Sequence, residues 1–135
     1  MEYTLKKLTT ALHNCWTQET SSSPDEWSKD NPARGQCVAS ALVMQDYLGG
    51  DLLRYNVTSK SIREMHYCNL LDDGTVVDTT NLQYKEPVNM KVKPVDLKGF
   101  SSIREKRLAD KATNNRYQLL KQFIAKQLIT SNLVI

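Results

Sequence analysis

Three side chains of this sequence, Cys37, His66 and Asp78, have the types and the chain order that nucleophilic catalysis uses. A thiolate can attack a carbonyl carbon, an imidazole can transfer the protons, and a carboxylate can orient the imidazole. Taken singly, each has a structural interpretation: a packed core thiol, a histidine satisfied within a strand, and a carboxylate paired with an arginine. Taken together, their order predicts a Cys-His-Asp triad that acts on amides.

The position of Cys37 favours reactivity, because the residue lies where a loop leads into a helical pattern. The positive end of the helix dipole stabilises a thiolate at such a position. The first main-chain N–H groups of the helix have no partner within it, so they can donate to an oxyanion. Gly35 permits a tight turn before the helix, and the side-chain amide of Gln36 is a second candidate oxyanion donor.

Asp78 lies among β-branched residues of a predicted strand, where a carboxylate needs a hydrogen-bond donor. The preceding turn decides whether His66 can be that donor. A three-residue loop over 72–74 places Cys68 opposite Asp78 and puts His66 on the same face as Asp78. A two-residue loop at 73–74 would place them on opposite faces. The turn residues allow both loops, and the buried carboxylate favours the longer one.

The elements that must position these side chains are predicted from hydrophobic periodicity and turn residues. Helices are expected first, then a small antiparallel sheet, then helices again, which is an α+β layout in a single domain of residues 1–135. The predicted helices cover 3–16 and 37–48; the predicted strands cover 52–58, 64–71 and 75–79, with one extended segment in 85–100 and two final helices broken near 114–115.

The segments Gly35–Cys37, His66–Asn69 and Asp78–Thr80 resemble the catalytic core of the transglutaminase-like cysteine enzymes. Those enzymes carry Gly-Gln-Cys-Trp, His-x-Trp-Asn and Asp-x-Thr in the same order and belong to the papain-like fold. The resemblance implies a catalytic cysteine at a helix N-terminus packed on a small antiparallel sheet. It implies supporting roles for Asn69 and Thr80, although strand alternation places Asn69 on the face opposite His66.

A longer resemblance is to the YunG-like family of bacterial proteins, and it covers most of the chain. No activity comes with that family, so the mechanism rests on the more distant resemblance. Val38 stands where transglutaminases have tryptophan, and Cys68 stands where both groups usually have it. The matching stretches are 16–21, Trp27, 31–46, 49–50, 66–69, 78–83 and 116–117.

Composition excludes several classes of protein. The 135 residues are 40% hydrophobic and 24% charged, which is ordinary for a globular domain. The longest apolar run, 37–44, is far shorter than the roughly 20 residues of a membrane span. Three cysteines without a Cys-x-x-Cys pair indicate neither a disulfide framework nor a zinc site. The N-terminus lacks a secretory pattern. We therefore expect a cytoplasmic protein with free thiols, no metal and no organic cofactor.

Two functions follow from these observations. The first is a cysteine-dependent amide hydrolase or acyl transferase (a deamidase, a peptidase or a transglutaminase-like enzyme) whose substrate is a peptide or protein amide. The alternative is a non-catalytic papain-like binding module whose basic C-terminal part, net +7 over residues 91–135, contacts an acidic partner or nucleic acid. Nucleic acid is disfavoured because two of the three aromatic residues there lie on an apolar helical stripe. The sequence predicts no oligomeric state.

Overall fold

The chain forms helices, then a sheet, then helices, as expected for the α+β class. The structure is a computed structural model that describes the backbone of residues 4–133 and the side chains of residues 4–130. Its elements are α1 (Leu5–Cys15), α2 (Cys37–Leu48), β1 (Asp51–Thr58), β2 (Arg63–Leu70), β3 (Val76–Val77), a 3₁₀ turn (Asn81–Gln83), β4 (Asn89–Val92), α3 (Ile103–Leu108) and α4 (Lys111–Leu133). None of the helices within residues 4–133 is long and apolar enough to cross a lipid bilayer.

Helix α2 is the central element of the core. Six consecutive residues, 39–44, are buried, which fits a helix that is apolar on all sides. It packs against α4, β2, β1 and α1. Each large aliphatic side chain buried there contributes roughly 1.5–3 kcal/mol, so the core fixes α2 firmly. The neighbouring helices contribute Leu8 and Leu12 from α1 and Leu120, Ile124 and Leu128 from α4.

The sheet is antiparallel with the strand order β3-β2-β1-β4. Leu70 pairs with Val76 across β2 and β3. The loop between these strands is closed by hydrogen bonds from the main-chain N–H of Leu71 to Thr75 O (2.8 Å) and from that of Gly74 to Leu71 O (2.9 Å). Gly74 has φ +89°, a conformation that favours glycine. The three-residue loop and its register are therefore confirmed.

Strand β3 is shorter than the predicted 75–79, because it ends at Val77. Beyond it the main-chain N–H of Thr80 donates to Oδ1 of Asp78 at 3.2 Å. This local hydrogen bond turns the chain away from the extended conformation, as aspartate side chains often do. A 3₁₀ turn follows at once instead of further strand.

The predicted break near 114–115 is wrong. Helix α4 runs through these positions, and the break lies at Ala109 and Asp110. The Asp110 carboxylate accepts hydrogen bonds from the main-chain N–H of Thr113 (3.0 Å) and from its hydroxyl (2.7 Å). An aspartate before a helix caps its first turn, so Asp110 determines where α4 begins, and the asparagines that follow do not interrupt the helix. The first residue of the predicted helix 3–16 lies outside the described residues.

Candidate active site

The turn that leads into α2 is packed against the loop of residues 21–23. Gly35 has φ +77°, and its carbonyl accepts a hydrogen bond from the main-chain N–H of Ser22 (2.9 Å). The hydroxyl of Ser21 donates to the carbonyl oxygen of Arg34 (2.7 Å). A Cβ at Gly35 would lie 2.2 Å from Oγ of Ser21 and 2.7 Å from the main-chain nitrogen of Ser23. Only glycine fits this position. The turn that it forms lies directly before α2.

We expect Gly35→Ala to destabilise the protein by roughly 2–5 kcal/mol, because it adds both a positive-φ penalty and a backbone clash. The matched control is Gly74→Ala, where φ is +89° but no atom lies within 4 Å of the added Cβ. That variant should lose only about 1–2 kcal/mol. Urea unfolding of both variants measures the difference, and equal losses would contradict the close packing at Gly35.

Gln36 faces the protein interior rather than the solvent. Its side chain is fully buried; Oε1 accepts a hydrogen bond from the Thr20 hydroxyl (2.8 Å), and Nε2 donates to the carbonyl oxygen of Thr17 (2.9 Å). The amide therefore fastens the loop that follows α1 to the start of α2. This position does not favour the oxyanion contact expected for the Gln36 side chain, because a substrate has no route to a fully buried amide.

Cys37 is the first residue of α2, as the sequence predicted, and its side chain is half-buried. No side chain of the described residues caps this helix start. The main-chain N–H of Ser40 makes the hydrogen bond to Gln36 O (3.0 Å) that opens the helical pattern. The N–H groups before Ser40 in the first turn therefore remain suited to stabilise an anion next to the Cys37 sulfur.

His66 and Asp78 are hydrogen-bonded to each other across β2 and the end of β3. Nε2 of His66 lies 2.8 Å from Oδ2 of Asp78, and His66 is fully buried. Because an ionised carboxylate only accepts hydrogen bonds, Nε2 carries the hydrogen and donates it. The other oxygen of Asp78 is held by the N–H of Thr80, which is itself buried. The predicted pairing of His66 with Asp78 on one face is confirmed.

The electrostatics around His66 favour the imidazolium. Burial alone would lower the pKa of His66, but the hydrogen bonds with Asp78 and Cys37 and the charges of these two groups raise it to about 9. Since Asp78 occupies Nε2, Nδ1 is the nitrogen left for Cys37. At neutral pH the raised pKa therefore favours the imidazolium form of His66.

A second carboxylate, that of Glu64, approaches the Nδ1 side of His66 through Tyr84. The hydroxyl of Tyr84 donates to Glu64 Oε2 (2.8 Å), and the Tyr84 hydroxyl oxygen lies 3.4 Å from Nδ1 of His66. Arg34 donates to both oxygens of Glu64 at 2.8 Å. Burial alone would raise the pKa of Glu64, but the hydrogen bonds from Arg34 and Tyr84 lower it overall. The negative charge near His66 is thereby retained.

Sequence reasoning did not predict Arg34, Glu64, Tyr84 or Gln83 as parts of the site. One signal was available for Glu64, since residues two apart on a strand share a face and Glu64 lies two positions before His66. The contacts of Arg34 and Gln83 join segments far apart in the chain. Oε1 of Gln83 accepts hydrogen bonds from Nη1 of Arg34 (2.9 Å) and from the main-chain N–H of Gly35 (3.3 Å).

Asn69 lies apart from these hydrogen bonds. Its Nδ2 donates to the carbonyl oxygen of Ala41 at 2.9 Å, and its side chain is buried. The contact joins β2 to the middle of α2. This position agrees with a structural role for Asn69 and gives it no contact with His66 or Asp78 among the hydrogen bonds of the described residues.

The other two thiols, Cys15 and Cys68, are 7% and 2% exposed. Burial raises the pKa of Cys15. Burial and the nearby charge of Asp78 raise the pKa of Cys68 to about 12, so both groups favour the neutral thiol. Within residues 4–130, no three or more His, Cys, Asp and Glu side chains are grouped to hold a metal ion.

An open cavity of about 510 Å³ lies beside the site. Three of its lining residues, Arg34, Gln83 and Tyr84, belong to the hydrogen-bond network around Glu64, next to His66. Cys37, His66 and Asp78 do not line it, so the cavity adjoins the three residues rather than enclosing them. Its remaining lining residues are Glu26, Asn31, Ser61, Ile62, Lys85 and Glu86.

These features define an α+β protein whose central helix begins at a cysteine that interacts with a buried histidine, and this histidine is hydrogen-bonded to an aspartate. The sequence profile of the YunG protein matches residues 4–129, and the chain belongs to this family. It is similar to a Bacillus subtilis (strain 168) protein called uncharacterized protein YunG, with 28% identity over 117 residues covering 87% of this chain and 88% of the relative. No solved structure matches the chain.

Proposed function

We propose that the protein is a cysteine-dependent amide hydrolase or acyl transferase, with Cys37 as nucleophile, His66 as acid and base, and Asp78 as the group that orients His66. The observation that carries the proposal is the hydrogen bond between Nε2 of the fully buried His66 and Oδ2 of Asp78 (2.8 Å), together with the interaction with Cys37 that helps to raise the pKa of His66.

In the first half of the reaction, the Cys37 thiolate attacks the carbonyl carbon of the substrate and a C–S bond forms. Negative charge develops on the carbonyl oxygen, where main-chain N–H groups at the start of α2 can stabilise it. His66 then gives its Nδ1 proton to the amide nitrogen as the C–N bond breaks, and the amine or ammonia leaves. Asp78 keeps the imidazole in place throughout.

In the second half, water or an amine attacks the thioester, and His66 accepts the proton of this nucleophile at Nδ1. The C–S bond breaks and the sulfur leaves as the thiolate. Water gives hydrolysis, as in a deamidase or peptidase, whereas an amine gives acyl transfer, as in a transglutaminase. We propose a peptide or protein amide as substrate, a papain-like arrangement of α2 and the sheet, and a reducing, cytoplasmic setting.

We expect iodoacetamide to alkylate Cys37 selectively at neutral pH. Because burial disfavours the thiolates of Cys15 and Cys68, Cys37 should react at least about tenfold faster than either of them. Peptide mapping of the alkylated chain across a pH series measures the three rates. His66→Ala should slow the alkylation of Cys37 at neutral pH, because the thiolate loses the imidazolium that stabilises it. Equal reactivity of the three thiols in the wild-type protein would speak against the proposed function.

The net charge of +7 over residues 91–135 favours a second candidate, a non-catalytic module that binds an acidic partner. Part of this charge is used within the fold. Arg104 donates to Asp46 at 2.7 Å, and the Arg107 guanidinium lies over the Tyr67 ring at 5.7 Å. Retention on an anionic column that weakens steeply with salt, together with unreactive Cys37, would favour the binding module over the enzyme.

A further inference from the structure

The amide of Gln83 has a fixed orientation next to His66. Its Oε1 accepts hydrogen bonds from Nη1 of Arg34 (2.9 Å) and from the main-chain N–H of Gly35 (3.3 Å). Because both partners are donors, only the amide oxygen can lie on that side. The NH₂ group therefore faces the opposite way, and its Nε2 lies 3.5 Å from Nδ1 of His66.

The backbone of Gln83 is also held in place. Gln83 is the last residue of the 3₁₀ turn that follows Asp78, and its carbonyl accepts a hydrogen bond from Nδ2 of Asn31 at 2.9 Å. Its side chain is only 4% exposed, yet it lines the 510 Å³ cavity together with Arg34. Gln83 is therefore a buried, oriented amide placed between an open cavity and Nδ1 of His66.

The protonation state of His66 decides what the amide hydrogens of Gln83 can bind. Burial alone would lower the pKa of His66. Its interactions with Asp78 and Cys37 outweigh burial and raise this pKa to about 9. With both ring nitrogens protonated at neutral pH, Nδ1 cannot accept a hydrogen bond from Nε2 of Gln83. Within the described residues, no other hydrogen bond of this NH₂ group is found, so it is available to an incoming acceptor.

We propose that Gln83 is a catalytic residue that donates a hydrogen bond from Nε2 to the carbonyl oxygen of an acyl substrate entering from the cavity. This inference rests on the proposed function of Cys37. As the C–S bond forms, the carbonyl π electrons move to the oxygen, and the Gln83 amide stabilises the resulting negative charge. When the tetrahedral intermediate collapses, the electrons return and the bond to the leaving group breaks. Gln83 is thus the side-chain amide that donates to the oxyanion, a role that the buried position of Gln36 disfavours.

Two reactions of Cys37 separate this role from a positioning role. Acylation by p-nitrophenyl acetate passes through an oxyanion, whereas alkylation by iodoacetamide is a displacement at carbon that forms none. Gln83→Glu keeps the oxygen that Arg34 and Gly35 bind but removes the donor. Gln83→Leu removes the donor without adding charge. Gln118→Glu, on the exposed surface of α4, is the matched control for the added charge.

We expect both Gln83 variants to acylate Cys37 about 10²–10³-fold more slowly than wild type, with alkylation by Gln83→Leu close to the wild-type rate. Gln118→Glu should match wild type in both reactions. Unchanged acylation in both Gln83 variants would overturn the inference. An equal loss of acylation and alkylation would also overturn it, because Gln83 would then only position other residues of the site. If Gln83→Leu does not fold, Gln83→Glu decides by the same acylation criterion. Wild-type Cys37 that resists both reagents would instead refute the proposed function.

Discussion

Replacing Cys37 with alanine is expected to abolish acyl transfer while leaving the fold intact. Removal of a covalent nucleophile lowers the rate by about 10⁴-fold or more. Cys37 is half-buried at the first position of α2, and alanine is a strong helix former, so the loss of stability should stay below about 1 kcal/mol. The release of nitrophenolate from p-nitrophenyl acetate and urea unfolding measure the two quantities on the same preparation.

Cys15→Ala is the matched control for this substitution. Cys15 is buried in the hydrophobic core at the end of α1 and takes no part in the site. Its replacement should lower the free energy of unfolding by roughly 1 kcal/mol and leave acyl transfer at the wild-type rate. The opposite pattern, in which Cys37→Ala costs several kcal/mol and the acyl-transfer rate is unchanged, would make Cys37 a core residue.

Asp78→Asn is expected to lower the pKa of His66 from about 9. Burial lowers this pKa, and the variant lacks one of the two partners that raise it. The reaction of Cys37 at neutral pH should fall on the order of 10²–10⁴-fold, since the imidazole loses its orienting carboxylate. Titration of the His66 ring by NMR measures the pKa directly. Asp73→Asn, an exposed aspartate of the neighbouring turn, should leave the His66 titration where it is in the wild-type protein.

The same pair gives a stability prediction with a definite sign. The pKa of His66 is higher in the folded protein than its ordinary value of 6.5, so the imidazolium stabilises the fold fully below pH 6.5. This contribution, roughly 3–4 kcal/mol, is lost as the pH rises through about 9. Asp78→Asn should flatten the decline between these limits. A decline of equal size in the variant would show that the His66–Asp78 pair is not its cause.

The register that joins His66 to Asp78 could be predicted from the sequence because turn chemistry left only two loops. The carboxylate among β-branched residues then favoured the one that supplied a donor, and Gly74 does adopt the required positive φ. The end of β3 could not be predicted in the same way. The hydrogen bond from Thr80 to Asp78 competes with strand pairing, and strand periodicity does not reveal such local side-chain bonds.

The side-chain directions of Gln36 and Gln83 could not be predicted from the sequence. Gln36 is adjacent to Cys37 in the chain, yet its side chain points inward to Thr20 because the loop after α1 packs there. Gln83 is 46 positions from Cys37 in the sequence, yet its amide reaches Gly35 and His66. Neighbours in sequence share a backbone but not a side-chain direction, so only the packed fold distinguishes these two amides.

The measurement that tests the central claim most directly is the location of the acyl group after p-nitrophenyl acetate treatment at neutral pH. Mass spectrometry of peptides from wild type and His66→Ala identifies the acylated residue and its chemical bond. Our account predicts a stoichiometric burst of nitrophenolate and a hydroxylamine-labile thioester on Cys37 in the wild type, and no burst in His66→Ala. Acyl groups spread over lysines, or equal labelling of Cys37 in both proteins, would contradict a nucleophile activated by His66.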